Sequence, residues 1–240
     1  MILNSKKQLI ITLLTSKRRT IFGSSLKIRN NLKTTTKHAY IRELAVMLQT
    51  ETQTKQMDEI IQKLDKYLST LRPEYYSELN EPLDDSQLDK LEEYYKIEIP
   101  KDLRTLYKWK NGQNPNCYEA FVNNSCFIPF HQALYDASEL TPMIGFDFEI
   151  ENWWNENWIP IFQNGGGDSI CFDLKGIFTE QKGQLVEFWH SDNDRNVIAP
   201  TLETFFGKII DFYETKQKEE FDEYFKVDKI DNYPKKFIVE

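Results

Sequence analysis

The sequence predicts an α+β fold, on three observations. Residues 57–112 carry apolar side chains at helical spacing, residues 158–199 read as short strands between glycine turns, and residues 201–213 return to helical spacing. Helices, then hairpins, then a closing helix is the order of an α+β chain; the strand–helix alternation of a doubly wound sheet is missing. The chain has 240 residues, 40% of them hydrophobic and 28% charged, with 9 Gly and 9 Pro. That composition supports a packed core and excludes collagen-like and wholly disordered classes.

The elements follow in order. Ile60, Ile61, Leu64, Tyr67, Leu68 and Leu71 fall on one helical face, and Pro73 ends that helix. Ser86, with Asp89 three residues on, is read as the N-cap of a second helix that turns Leu88, Leu91, Tyr94 and Tyr95 inward. Pro100 and Asp102 open a third helix with Leu103, Leu106 and Tyr107 inside, stopped by Asn111-Gly112. Phe127–Phe130 reads as a short strand and Gln132–Glu139 as a short helix, whereas Glu149–Trp158 is aromatic and acidic without a period. Strands follow at Trp158–Phe162, Ser169–Leu174, Leu185–Trp189 and Val197–Ala199, with turns at Asn164–Asp168 and Lys182-Gly183. Thr201 caps a last helix bearing Leu202, Phe205, Phe206, Ile209, Ile210 and Tyr213. Three regions result: a basic extension (1–56), an organised domain (57–215), and a charged tail (216–240) expected to prolong the helix and then fray.

Charge divides the chain in the same way. Residues 1–40 hold nine basic and no acidic side chains, which leaves 21 basic against 38 acidic residues in the rest, a net charge of −17. The apolar run Leu9–Leu14 is far too short to span a bilayer or to form a secretory signal. The leader has the basic, Ser/Thr-containing composition of a transit peptide, but it also reads as a poorly ordered tail or a false start ahead of Met47 or Met57. An acidic body repels nucleic acid and invites a basic partner, and no stretch is apolar enough to make a membrane a partner. Cys117, Cys126 and Cys171 form an odd set without C-x-x-C spacing, which suits a reducing cytoplasm.

No motif demands an enzyme. Gly165-Gly166-Gly167-Asp168 leads into a strand and lacks the lysine of a phosphate loop, so it reads as a hairpin turn in which Asp168 bonds turn amides. Asp192-Asn193-Asp194 with Glu203 approaches a calcium loop, but Val197 stands where glycine is required. His38, His131 and His190 show no metal-ligand spacing. No catalytic residue, metal or cofactor is therefore assigned. The aromatic residues are more informative: Trp153 and Trp154 lie among Glu149, Glu151 and Glu156, and Trp189 precedes Asp192 and Asp194. Exposed aromatics beside carboxylates are the materials of a protein-binding or sugar-binding surface.

Three strings carry a family resemblance. They are Leu91–Leu103 running on to Asn111-Gly112, then Trp158–Phe162 with Gly165–Asp168 and Cys171–Leu174, and last Ala199–Phe206. Together they resemble the SUKH superfamily, in its branch named for the yeast Smi/Knr cell-wall synthesis regulators. The resemblance implies one curved antiparallel β-sheet flanked by helices, without catalytic residues. It marks Glu92, Pro100, Asn111, Gly112, Trp158, Pro160, Gly165, Gly166, Gly167, Asp168 and Asp173 as mainly structural motif positions. Lys96 departs from the pattern, standing where glycine is common. The resemblance also implies function. Bacterial members are chiefly immunity proteins that neutralise toxins, often nucleases; fungal members regulate glucan synthesis and wall signalling. The expectation is a cytoplasmic immunity protein that binds a basic toxin domain through Glu149, Glu151, Trp153, Trp154, Glu156, Trp189, Asp192 and Asp194. A cell-wall regulatory scaffold and a carbohydrate-binding module are the alternatives, and the oligomeric state is left open.

Overall fold

The structure, a computed structural model, describes residues 56–215 and 227–240. All of them belong to one compact unit, Thr54–Glu240. The expectations for the basic leader, and for the tail at residues 216–226, lie outside the described residues.

Helix α1 covers residues 56–71 and buries Ile61, Leu64 and Leu68. Pro73 ends it as expected but also begins a short helix α2, Pro73–Ser77, because its missing N–H costs nothing in a first turn. Helix α3 spans Asp85–Tyr95, and its cap differs from the expected Ser86. Asp84 accepts from the Gln87 amide while the Gln87 side chain accepts from the Asp84 amide, a reciprocal capping box. Tyr94 is 77% exposed in place of the inward position expected of it, because it falls outside the stripe formed by Leu88, Leu91 and Tyr95. Lys96 ends α3 at φ +55, so a lysine accepts the left-handed conformation that favours glycine. Helix α4, Lys101–Trp109, buries Leu103, Leu106 and Tyr107.

Gly112 is required by two constraints. Its φ is +70, and a Cβ there would lie 2.3 Å from the Pro129 nitrogen. That close approach seats strand β1 (Cys126–Phe127) and helix α5 (Phe130–Leu140), whose first amide is capped by the Asn111 side chain at 2.9 Å. A 3₁₀ turn, Thr141–Met143, follows. Strands β2 (Trp158–Gln163), β3 (Ser169–Asp173), β4 (Gln184–Phe188) and β5 (Val197–Ala199) complete an open sheet in the order β1-β2-β3-β4-β5, each pair of neighbours antiparallel. Register shifts at Pro160/Phe162 and Leu185/Val186 bend it, as bulges do. Helix α6, Leu202–Thr215, closes the fold, with Thr201 accepting from the Thr204 amide as the predicted cap.

Strand alternation sends side chains to two cores. Ile170 and Phe172 of β3 and Leu185 of β4 join the helices in the larger one. Cys171, Val186 and Phe188 turn the other way and join Trp154, Trp158 and Val197 in a smaller one. The chain end departs from the expected helical tail: residues 227–240 contain no helix. Lys235 instead exchanges two 2.9 Å backbone bonds with Val197, the Arg195 amide donates to Phe237, and the Val239 amide donates to Asn193. This backbone covers the free edge of β5, which would otherwise invite pairing with another chain.

Candidate partner-binding surface

The small core lies under irregular chain, and Arg195 holds that chain in place. The side chain is fully buried between β4 and β5. Its Nε and Nη2 donate to the Trp153 carbonyl at 3.0 and 2.7 Å. Its Nη1 donates to the Asp192 and Asp194 carbonyls at 2.6 and 2.7 Å. The guanidinium also lies over the rings of Trp153 and Phe188 at 4.9 and 5.0 Å. Burial pulls its pKa down to about 10, so it remains protonated at neutral pH. The carbonyls of the calcium-like string 192–194 are thus turned onto a guanidinium. The same contacts draw the 149–156 segment to the 189–194 loop, two regions far apart in sequence.

Asparagines shape the rest of that segment. The Asn155 side chain donates to Asn152 and accepts from both the amide and the side chain of Asn157, and the Asn157 carbonyl accepts from Leu174. Asn152 tolerates φ +59 there. Trp154 drops inward from this frame, with its Nε1 donating to Thr141 at 3.3 Å and its ring edge-on to Phe188 and Trp158.

Arg195 therefore joins three of the expected interaction residues, Trp153, Asp192 and Asp194, by their carbonyls; the eight differ in exposure, and one needs correction. Glu149, Glu151 and Glu156 are exposed, as is Asp192, while Asp194 is half-buried. Trp189, at the end of β4, is 38% exposed. Trp153 is half-buried, one face taken by Arg195. Trp154, however, is only 2% exposed and belongs to the core, so it cannot meet a partner; the residues that bury it come from distant segments that local sequence does not reveal.

The motif residues serve turns, caps and close approaches. Glu92 accepts from the Ile99 amide at 2.6 Å and pairs with Arg104 at 2.6 Å, joining α3 to α4. Pro100 is the N-cap of α4. Trp158 and Pro160 are buried in β2, Pro160 beside the bulge. Asp173, fully buried, accepts from the amides of Lys175, Gly176 and Ile177 and from the Gln184 side chain. In the Gly165-Gly166-Gly167 turn, Gly167 takes φ +97. Asn164, rather than Asp168, bonds the turn amides, accepting from Gly166 and Asp168. Asp168 reaches the end of β4 and accepts from both the backbone and the ring of His190, at 3.0 and 2.9 Å. Burial raises its pKa, but the bonds from His190 and Asn164 outweigh that, and the carboxyl is held below its ordinary range.

Two features of the surface were missed by sequence reasoning. One is Arg195, to which the sequence reading gave no role. The other is the turn at residues 144–150, where Phe146 is 78% exposed. The signal for it was present: apolar and acidic residues alternate from Phe146 to Glu151 outside any strand. That turn lies in a stretch, residues 111–174, that contains nine carboxylates and no Lys or Arg.

An open five-stranded antiparallel sheet, with helices on one face and an acidic, aromatic loop layer on the other, defines an α+β domain whose motif residues maintain the architecture. Residues 82–208, more than half the chain, match the model of the SMI1 / KNR4 family (SUKH-1). The chain belongs to that family. A search of curated proteins gave no match.

Proposed function

We propose that the protein is a non-enzymatic immunity protein that binds a basic toxin domain and blocks its working surface. The observation that carries this reading is a one-signed stretch of chain: residues 111–174 hold nine carboxylates and no Lys or Arg, and Glu149, Glu151 and Glu156 among them are exposed. A nuclease offers a basic groove to its phosphate backbone substrate, and an acidic protein competes for such a groove and is steered to it. Burial of Trp154 and the stacking of Trp153 on Arg195 remove these two rings from a sugar-binding platform. Among the described residues no helix is long and apolar enough to cross a membrane, and a cytoplasmic location is part of this reading.

The test is co-expression. The polypeptide encoded beside this gene is produced in a sensitive host with and without the full chain. Killing that the chain suppresses, together with a stable complex of the two, supports immunity. No toxicity in the neighbour, together with a wall-synthesis gene cluster around the chain, would favour the family's regulatory theme.

A further inference from the structure

We propose that the turn at residues 143–151 is the anchor of the interface, inserting Phe146 into an apolar pocket rimmed by Lys or Arg on a basic partner protein. This rests on the proposed reading only in taking the partner to be a basic protein; it does not require that protein to be a toxin.

The backbone of the turn is fixed by its own bonds. The amides of Phe146 and Phe148 both donate to the Met143 carbonyl, at 3.1 and 3.0 Å, and the Gly145 amide donates to Phe148 at 2.9 Å. Gly145 supplies the required φ of +83. Phe148 points inward and meets the Phe188 ring edge-on at 6.4 Å, tying the turn to β4. The tip is therefore held in position rather than collapsed, and Phe146 stands 78% exposed, with Ile144 at 43% and Ile150 at 36%. Burying a phenylalanine side chain away from water is favourable. A rigid turn that keeps one in water retains that free energy for a partner. Single aromatics presented on ordered backbone and surrounded by polar side chains are the usual anatomy of a binding hot spot.

The surroundings select the partner. Asp147, Glu149 and Glu151 alternate with the apolar residues and are exposed. A second copy of this chain would bring the same carboxylates face to face across a two-fold contact, which is repulsive. A membrane carrying anionic lipid is repelled for the same reason. A protein pocket edged by cations satisfies both the ring and its acidic border.

The test uses the full chain and three defined probes: an amphipathic peptide of Leu and Lys, a scrambled isomer of it with the same composition, and its counterpart with Glu in place of Lys. Binding is followed by titration and by amide chemical shifts. The Leu/Lys peptide should bind with shifts centred on residues 143–151, the scrambled isomer about 10-fold more weakly, and the Glu peptide not at all. Phe146→Ser should weaken binding by about 10–30-fold, as loss of a hot spot does, with the urea midpoint unchanged. Equal binding by Phe146→Ser, equal binding by the scrambled isomer, binding of the Glu peptide, or self-association that Phe146→Ser abolishes would each overturn the proposal. Toxin neutralisation that survives Phe146→Ser would overturn the anchor and leave the immunity reading standing; peptide binding at the turn without any neutralisation would do the reverse.

Discussion

The two sides of the sheet are built in different ways. On one side, α1, α4 and α6 supply side chains at helical spacing to a large core, and the backbone is satisfied within the helices. On the other, irregular chain covers a small core, and its backbone polar groups are satisfied by side chains: Arg195, Asp173, Asn155 and Asn164. A buried loop carries backbone groups that no ladder serves, so it depends on such particular residues. The helical side needs such residues chiefly at the link into β1, where Arg72 donates to the Ala120 carbonyl and Gln113 accepts from the Phe127 amide, whereas the loop side rests mainly on contacts that can be removed singly. The loop side also carries exposed Asp147, Glu149, Glu151 and Glu156 and the Phe146 turn, so the surface proposed for a partner lies where backbone is positioned by side chains.

The comparison can be broken most sharply at Arg195. Replacing it with Met strands three carbonyls and should cost about 3–5 kcal/mol in chemical denaturation, the range for removing one partner from a buried charged network. The loss should be local: amides at residues 150–157 and 192–196 should exchange faster than those of α6. Uniform loss of protection would show that the loop side is not separately held. Asp173→Asn should cost about 1.5–3 kcal/mol, because its carboxylate receives three backbone amides.

Acid titration separates the two sides by sign. Asp168, in the hairpin turn between β2 and β3, has a lowered pKa in the fold. Its contribution is present above the unfolded value of about 3.9 and lost as pH falls through the folded value. Asp102, in the first turn of α4, is raised by burial. Its contribution is full below the unfolded value and lost as pH rises through the folded one. Urea midpoints from pH 3 to 7 should therefore show Asp168→Asn reducing the fall in stability on acidification, and Asp102→Asn raising stability at neutral pH. Matching slopes in the two variants would contradict the assignment. The smallest effect is expected at Lys96. Lys96→Gly relieves a left-handed lysine at φ +55 and should stabilise by about 0.5–1 kcal/mol, net of the greater freedom glycine has when unfolded; a loss of stability would show that the lysine side chain contributes more than its backbone costs.

Legibility followed the same division. The helices, their inward faces and the hairpins from Trp158 to Ala199 were visible in sequence, because regular elements repeat their own pattern. The cap of α3 was misplaced by two residues because Asp84 and Ser86 are both good cap residues and only the reciprocal bond to Gln87 decides between them. Trp154 and Trp189 look alike in sequence, and tertiary packing buries one and exposes the other. The end of the chain looked helical from its charges, yet residues 227–240 pair with β5, a contact between distant segments that no local period encodes. Asp168 was correctly placed in a turn but given the bonds that Asn164 makes.

The central claim is that the acidic loop side is the surface that meets the partner. It is tested most directly by neutralising two matched sets of four exposed acids in the full chain: Asp147, Glu149, Glu151 and Glu156 on the loop side, and Glu74, Glu81, Glu93 and Glu98 on the segments around α2 and α3. Association with the basic partner domain proposed above is then measured by stopped flow at low and high salt. The account predicts that the loop-side set slows association by roughly 10-fold or more at low salt and flattens its salt dependence, while the control set changes little. Equal slowing by both sets, or by neither, would contradict it.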